Sequence, residues 1–166
     1  MLFRSILDGA KNWQKYVKDN GTGYGQDKVA DPREPKPANL DCSLFVQKAA
    51  VGKSFMKDYT DKGLRISTLV LDGDCQLKRL KPGEAPRAGD LVAQPRESGP
   101  PGSMHVGVAT GVSPSANGHR AIAMGGTKDA GSAAEYTWGP DGTSIPGGDQ
   151  LRVYRPQKRK KDCPKK

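Results

Sequence analysis

Cys42 and His105 are residue types that together could break an amide bond. Cys42 follows Asn39-Leu40-Asp41 and opens an apolar stripe of helical period, and Asn39 or Asp41 can cap that helix. A thiol there faces the unbonded N–H groups of the first turn, whose partial positive charge favours thiolate, the nucleophilic form. The same N–H groups, those of Cys42 and Ser43, can bind the oxyanion of a carbonyl under attack. By position alone, Cys42 reads equally as a small buried cysteine packed at a helix start. His105 adds a base. It begins a segment in which His105, Gly107 and Ala109 share one face and Val106 and Val108 share the other. The valines suit a core, while the small residues leave room beside an imidazole. A lone histidine on a strand is more often structural, but a thiol and its base need to meet only in space.

The elements around these residues follow from periodicity. Phe3, Ile6, Leu7, Ala10, Trp13, Tyr16 and Val17 mark an amphipathic helix stopped by Asn20-Gly21. A polar loop, Gly21 to Asn39, follows. A second helix is expected from about Asp41 to Met56, with Phe45, Ala49, Gly52 and Phe55/Met56 on its buried stripe. Gly63 to Leu71 fits either a short strand or a loop. The period then changes to two, in segments beginning at Asp90, His105, His119, Ala134 and Gln150, each bounded by turn residues. Helices first and a strand meander afterwards predict an α+β domain, with helices packed on an antiparallel sheet. The expected organisation is one catalytic domain over 1–156 and a basic tail over 157–166.

Composition narrows the function classes. The apolar fraction of 34%, with 21 glycines and 13 prolines, suits a loop-rich domain with a small core. No apolar run is long enough to span a membrane. Met1 to Ala10 carries Arg4 and Asp8 and lacks the features of a secretory signal. The net charge of +9 draws the chain toward polyanions, and the tail holds much of it. Aromatic residues do not interleave with the basic ones, so nothing suggests a nucleic-acid stacking surface. Cys42, Cys75 and Cys163 fit no zinc spacing. With Cys42 as nucleophile, Cys75 and Cys163 are either a disulfide of an oxidising compartment or two unpaired thiols.

Leu40-Asp41-Cys42-Ser43-Leu44-Phe45-Val46-Gln47 resembles the Asp-Cys-Ser-Gly-Phe-Val-Gln signature of NlpC-type papain-like cell-wall peptidases. Pro86-Arg-Ala-Gly-Asp-Leu-Val resembles their Pro-x-x-Gly-Asp-Leu-Val segment, and Met104-His105-Val-Gly-Val-Ala-Thr-Gly111 their His-Val-Gly-Ile strand. The three occur in the family's order. Within that superfamily the chain is most similar to type VI secretion amidase effectors. Ala10-Lys-Asn-Trp13, Met124-Gly-Gly-Thr127, Trp138 and Asp149-Gln-Leu-Arg-Val-Tyr154 resemble their features.

The resemblance implies a papain-like fold and a Cys42–His105 pair that cleaves an amide of the peptidoglycan stem peptide without metal or cofactor. It also implies a monomer made in a bacterial cytoplasm, carried by a secretion apparatus into another cell's periplasm, and opposed by a cognate immunity protein. Tyr24, Met104 and Gly125 are candidates to line the cleft. Leu44 stands where the family has glycine. The group that orients His105 stays open among the Ala123 backbone, His119 and Asp129. Two rival readings are a housekeeping or phage murein peptidase and a non-enzymatic, basic cell-wall-binding module.

Overall fold

The computed structural model describes residues 2–25, 31–50, 54–96, 100–125, 133–140 and 151–157. Among the described residues four helices, α1 (Leu2–Asn20), α2 (Cys42–Ala49), α3 (Ser54–Asp61) and α4 (Thr68–Asp72), fill the first half, with two short strands between α1 and α2. These strands are β1 (Gly23–Tyr24) and β2 (Asn39–Leu40), which pair in parallel. The second half supplies β3 (Leu77–Arg79), β4 (Leu91–Pro95), β5 (Met104–Ala109), β6 (His119–Met124), β7 (Ala133–Trp138) and β8 (Arg152–Pro156). These six form one antiparallel sheet in the order β3-β8-β4-β5-β6-β7. The α+β class expected from the sequence is observed.

The strand order departs from a simple meander. β4 to β7 follow one another, but β8 returns to sit between β3 and β4. A buried ion pair accompanies this return. The Arg155 guanidinium on β8 meets the fully buried Asp90 carboxylate just before β4, at 2.8 Å. Asp90 also accepts the Arg87 N–H, which closes the turn into β4. β3 had no counterpart among the expected strands.

Two helices cover one face of the sheet. Ile6, Leu7, Ala10 and Val17 of α1 and Leu44, Phe45, Val46 and Ala49 of α2 share a core with Leu91, Ala93, Met104, Val106, Val108, Ile122, Met124 and Tyr154. All eight residues of α2 are buried, so the helix that begins at Cys42 lies inside the molecule. A fully buried side chain such as Phe45 contributes about 1.5–3 kcal/mol by leaving water. The Lys48 ammonium, also buried, donates to the Pro32 and Glu34 carbonyls and sits 5.7 Å over the Trp13 ring. On the other face a smaller cluster gathers Val92, Ala109, Ala121, Ala123 and Trp138.

Two expected elements need correction. The helix expected from Asp41 to Met56 ends at Ala49, and a separate α3 begins at Ser54. The Gln47 amide ties this end down, donating to Leu64 O at 2.8 Å and accepting from Ile66 N at 3.1 Å. Gly52 lies outside the described residues. The ambiguous stretch from Gly63 to Leu71 runs into α4, a helix whose start is capped by Ser67, which accepts the Val70 N–H. Among the described residues, no helix is long and apolar enough to cross a membrane.

Candidate active site

β5 has two unlike edges. On one side it pairs with β4 over five consecutive residues, from Leu91↔Val108 to Pro95↔Met104. The bonds from Arg96 N to Ser103 O and from Ala109 N to Asp90 O extend this ladder at both ends. On the other side only Val108↔Ile122 and Ala109↔Ala121 pair with β6. The strands part before Val106 and His105. Backbone groups alternate between the two neighbours of a strand, so Met104 C=O and Val106 N–H point toward β6, where no strand among the described residues receives them. The Cys42 thiol fills this gap, donating from Sγ to Met104 O at 3.7 Å. Gly107 marks the fork, since a Cβ there would lie 2.8 Å from Ile122 O and 3.1 Å from the Trp138 ring.

Asp41 positions the thiol. Its carboxylate caps α2 by accepting from Leu44 N and from Ser43 Oγ, each at 2.8 Å, and pairs with Arg65 at 2.6 Å. Neither the Cys42 nor the Ser43 N–H is taken by the cap. Burial pushes the Cys42 thiol up to about 11, and the negative Asp41 adds to the effect. The Val106 and Ser43 N–H groups and the charge of Arg96 oppose it without overcoming it. The thiolate expected from the helix start is therefore not the resting form. Desolvation at 5% exposure outweighs the few aligned N–H dipoles.

The imidazole of His105 lies on the sheet face opposite the helices. Its ring stacks on Trp138 with centroids 4.8 Å apart and planes 4° from parallel. Nε2 is 2.6 Å from the Tyr136 hydroxyl, and that hydroxyl donates to Gly125 O at 3.4 Å. With the tyrosine proton on Gly125 O, Nε2–H donates to Tyr136 and Nδ1 carries the lone pair. Nδ1 is buried and, among the described residues, has no hydrogen-bond partner. Burial, helped by the charge of Arg96, pulls the imidazole down to about 4. Burial and the nearby Cys42 and Tyr24 hold the Tyr136 phenol far above its ordinary value. The resting groups are thus a neutral thiol and a neutral imidazole, with no hydrogen bond joining them. They are 5% and 1% exposed, and neither lines the cavities of about 500 and 710 Å³ found elsewhere on the surface.

The group that holds His105 is Tyr136, which the sequence reading passed over. Ala123 sits in register with Ala134 of β7, and His119 lies at the far end of β6 with its Nδ1 2.7 Å from Ser113 Oγ. Asp129 lies outside the described residues. Tyr136 and Trp138 are two residues apart on β7 and so share a face, a period-two signal visible in Ala134-Glu-Tyr-Thr-Trp138. Tyr24 packs against Gly125, where a Cβ would come within 2.6 Å of its ring. The Met104 carbonyl receives the thiol, and the Gly125 carbonyl receives Tyr136. Cys75 is disulfide-bonded, while Cys163 and the basic tail over 158–166 lie outside the described residues. Among the described residues no three His, Cys, Asp or Glu side chains gather as a metal site. Compared with family models, curated proteins and solved structures, the chain matches none.

Proposed function

We propose that this chain is a papain-like cysteine amide hydrolase acting on peptidoglycan stem peptides. The observation that carries the reading is the His105 imidazole, whose Nε2 is held by Tyr136 while Nδ1 stays buried and, among the described residues, unpartnered. The second support is the Cys42 thiol, seated at a helix start against Met104 O and Val106 N–H, the backbone groups on either side of His105, with its proton on Met104 O. Because the resting pair is neutral, the proton leaves sulfur as the carbon–sulfur bond forms, rather than beforehand.

In this mechanism a substrate carbonyl reaches the start of α2 once the shell over the thiol opens. Cys42 Sγ attacks it and Nδ1 takes the thiol proton. The Cys42 and Ser43 N–H groups receive the developing oxyanion. The imidazolium, steadied through Nε2 by Tyr136, then protonates the leaving amine. Water activated by the same Nδ1 hydrolyses the thioester and regenerates the thiol. Delivery into a target cell's periplasm by a secretion apparatus, and restraint by an immunity protein, complete the proposal. They rest on the resemblance in the sequence.

Digestion of purified sacculi by the wild type and by Cys42→Ala tests this reading, with soluble fragments identified by mass. Fragments from the wild type alone support it and name the bond. The buried, neutral thiol favours one alternative, a non-enzymatic wall-binding module, and intact sacculi in both digests would leave that alternative in place of the hydrolase.

A further inference from the structure

The cavity of about 710 Å³ opens between α1, the turn that follows it and the first residue of β7. Three ammonium groups line it. Lys11, Lys15 and Lys18 are spaced by four and three residues, so they form one row along α1, about 10 Å from first to last. Lys15 pairs with Asp19, whereas Lys11 and Lys18 make no ion pair or hydrogen bond among the described residues. No Asp or Glu among the described residues lines the cavity to balance them. The row is not needed to close the helix end. Asn20 Nδ2 donates to Tyr16 O at 2.9 Å and Thr22 N–H to Val17 O at 3.1 Å, which gives two of the terminal carbonyls their partners. A second observation lies deeper. Thr22 lines the same cavity and is only 4% exposed, and among the described residues its buried hydroxyl oxygen has no hydrogen-bond partner. Buried hydroxyls are nearly always paired, and an unmet one is costly. The wall is completed by Val17 and by Ala133, whose carbonyl accepts the Gln14 amide at 3.2 Å.

We propose that this cavity binds a phosphate-bearing anion, with Lys11 and Lys18 as its charge partners and the Thr22 hydroxyl as a donor to a phosphate oxygen. Lysine acts as a point charge, and a phosphate group brings close to two negative charges and three acceptor oxygens. A lone carboxylate would leave part of the row uncompensated. The cavity is large enough for a small molecule carrying more than one such group. A free oligophosphate and the phosphodiester chain of a polymer share this chemistry. Neither Cys42 nor His105 lines the cavity, so the site stands whether or not the chain is a hydrolase.

Calorimetric titration of the full chain at low salt tests the site, with tripolyphosphate in one arm and a glycerol-phosphate oligomer in the other. Both arms compare the wild type with Lys11→Gln/Lys18→Gln, with Thr22→Val and with Lys36→Gln/Lys62→Gln, which removes two exposed charges elsewhere. Lys11→Gln/Lys18→Gln should weaken binding about tenfold or more, and Thr22→Val about fivefold. Lys36→Gln/Lys62→Gln should stay close to the wild type. Tighter binding of tripolyphosphate supports the site with a free oligophosphate as its ligand, and tighter binding of the oligomer supports it with a polymer. Absence of binding in both arms overturns the proposal. So does an equal loss in the two double variants, which would trace the attraction to the charge of the whole chain. Undiminished binding by Thr22→Val with an unchanged melting curve overturns it as well.

Discussion

The two edges of β5 show how one strand serves both stability and chemistry. Toward β4 the ladder is unbroken and is backed by the buried Asp90–Arg155 pair. Toward β6 it holds for two residues and then opens, and side chains occupy the space a strand would fill. The closed edge fixes the height of His105 in the sheet. The open edge frees Met104 C=O for the thiol and gives Tyr136 access to the imidazole. A gap in a sheet can therefore build a site in the interior without an extra loop.

Breaking the closed edge has the largest expected effect. Asp90→Asn leaves the Arg155 cation, itself largely buried, without its carboxylate, and should cost about 3–5 kcal/mol in denaturant unfolding. If the closed edge only supports the site, whatever protein stays folded keeps its wild-type activity per molecule.

A pH series isolates the open edge. The native imidazole, near 4, lies below the ordinary 6.5. Between these values the unfolded chain binds a proton that the folded one refuses. Stability from His105 is therefore complete above 6.5 and falls as pH drops toward 4, by on the order of 3 kcal/mol. Unfolding titrations of His105→Gln should show a flatter acid limb than the wild type. Parallel limbs would place the imidazole in a wetter setting.

Tyr136→Phe sharpens the comparison, because it removes one hydroxyl from the open edge and leaves the stack on Trp138. Loss of the Nε2 partner should lower kcat on sacculi about 10- to 100-fold, as for other groups that orient a histidine, with a melting shift of only a few degrees. A purely steric effect is expected at the fork. Gly107→Ala drives a Cβ against Ile122 O and the Trp138 ring and should cost about 1–3 kcal/mol. It should also broaden the active pH range if it loosens the imidazole.

Much of this arrangement was legible in the sequence. Asp41 before Cys42 announced a capped helix, and the period-two runs located five of the six strands of the large sheet. The return of β8 to β4 was not legible, because the Asp90–Arg155 pair joins residues far apart in the chain and leaves no local pattern. The break after Ala49 was missed because the apolar stripe continues through Met56, and the stop lies in bonds from Gln47 to Leu64 and Ile66. α4 was read as strand or loop because its five residues are too few to show a helical period, and the Ser67 cap decides for helix. Tyr136 was overlooked because a residue on β7 reaches His105 only when the strands beside it separate. The protonation state of Cys42 was misjudged because helix polarity is visible in sequence and depth of burial is not.

Pro95 gives β4 a handedness of assembly. It faces Met104 at a position where its missing N–H is not required by β5, and the pairing of β4 with β8 is described only as far as Ala93↔Arg152. Were β4 to flip over during folding, the proline nitrogen would face β5 where a donor is needed. A flipped β4 would also turn Gln94 toward the apolar helices and its core residues outward. One missing donor thus weighs against the turned-over docking of β4 and for the register that sets His105 opposite Gln94.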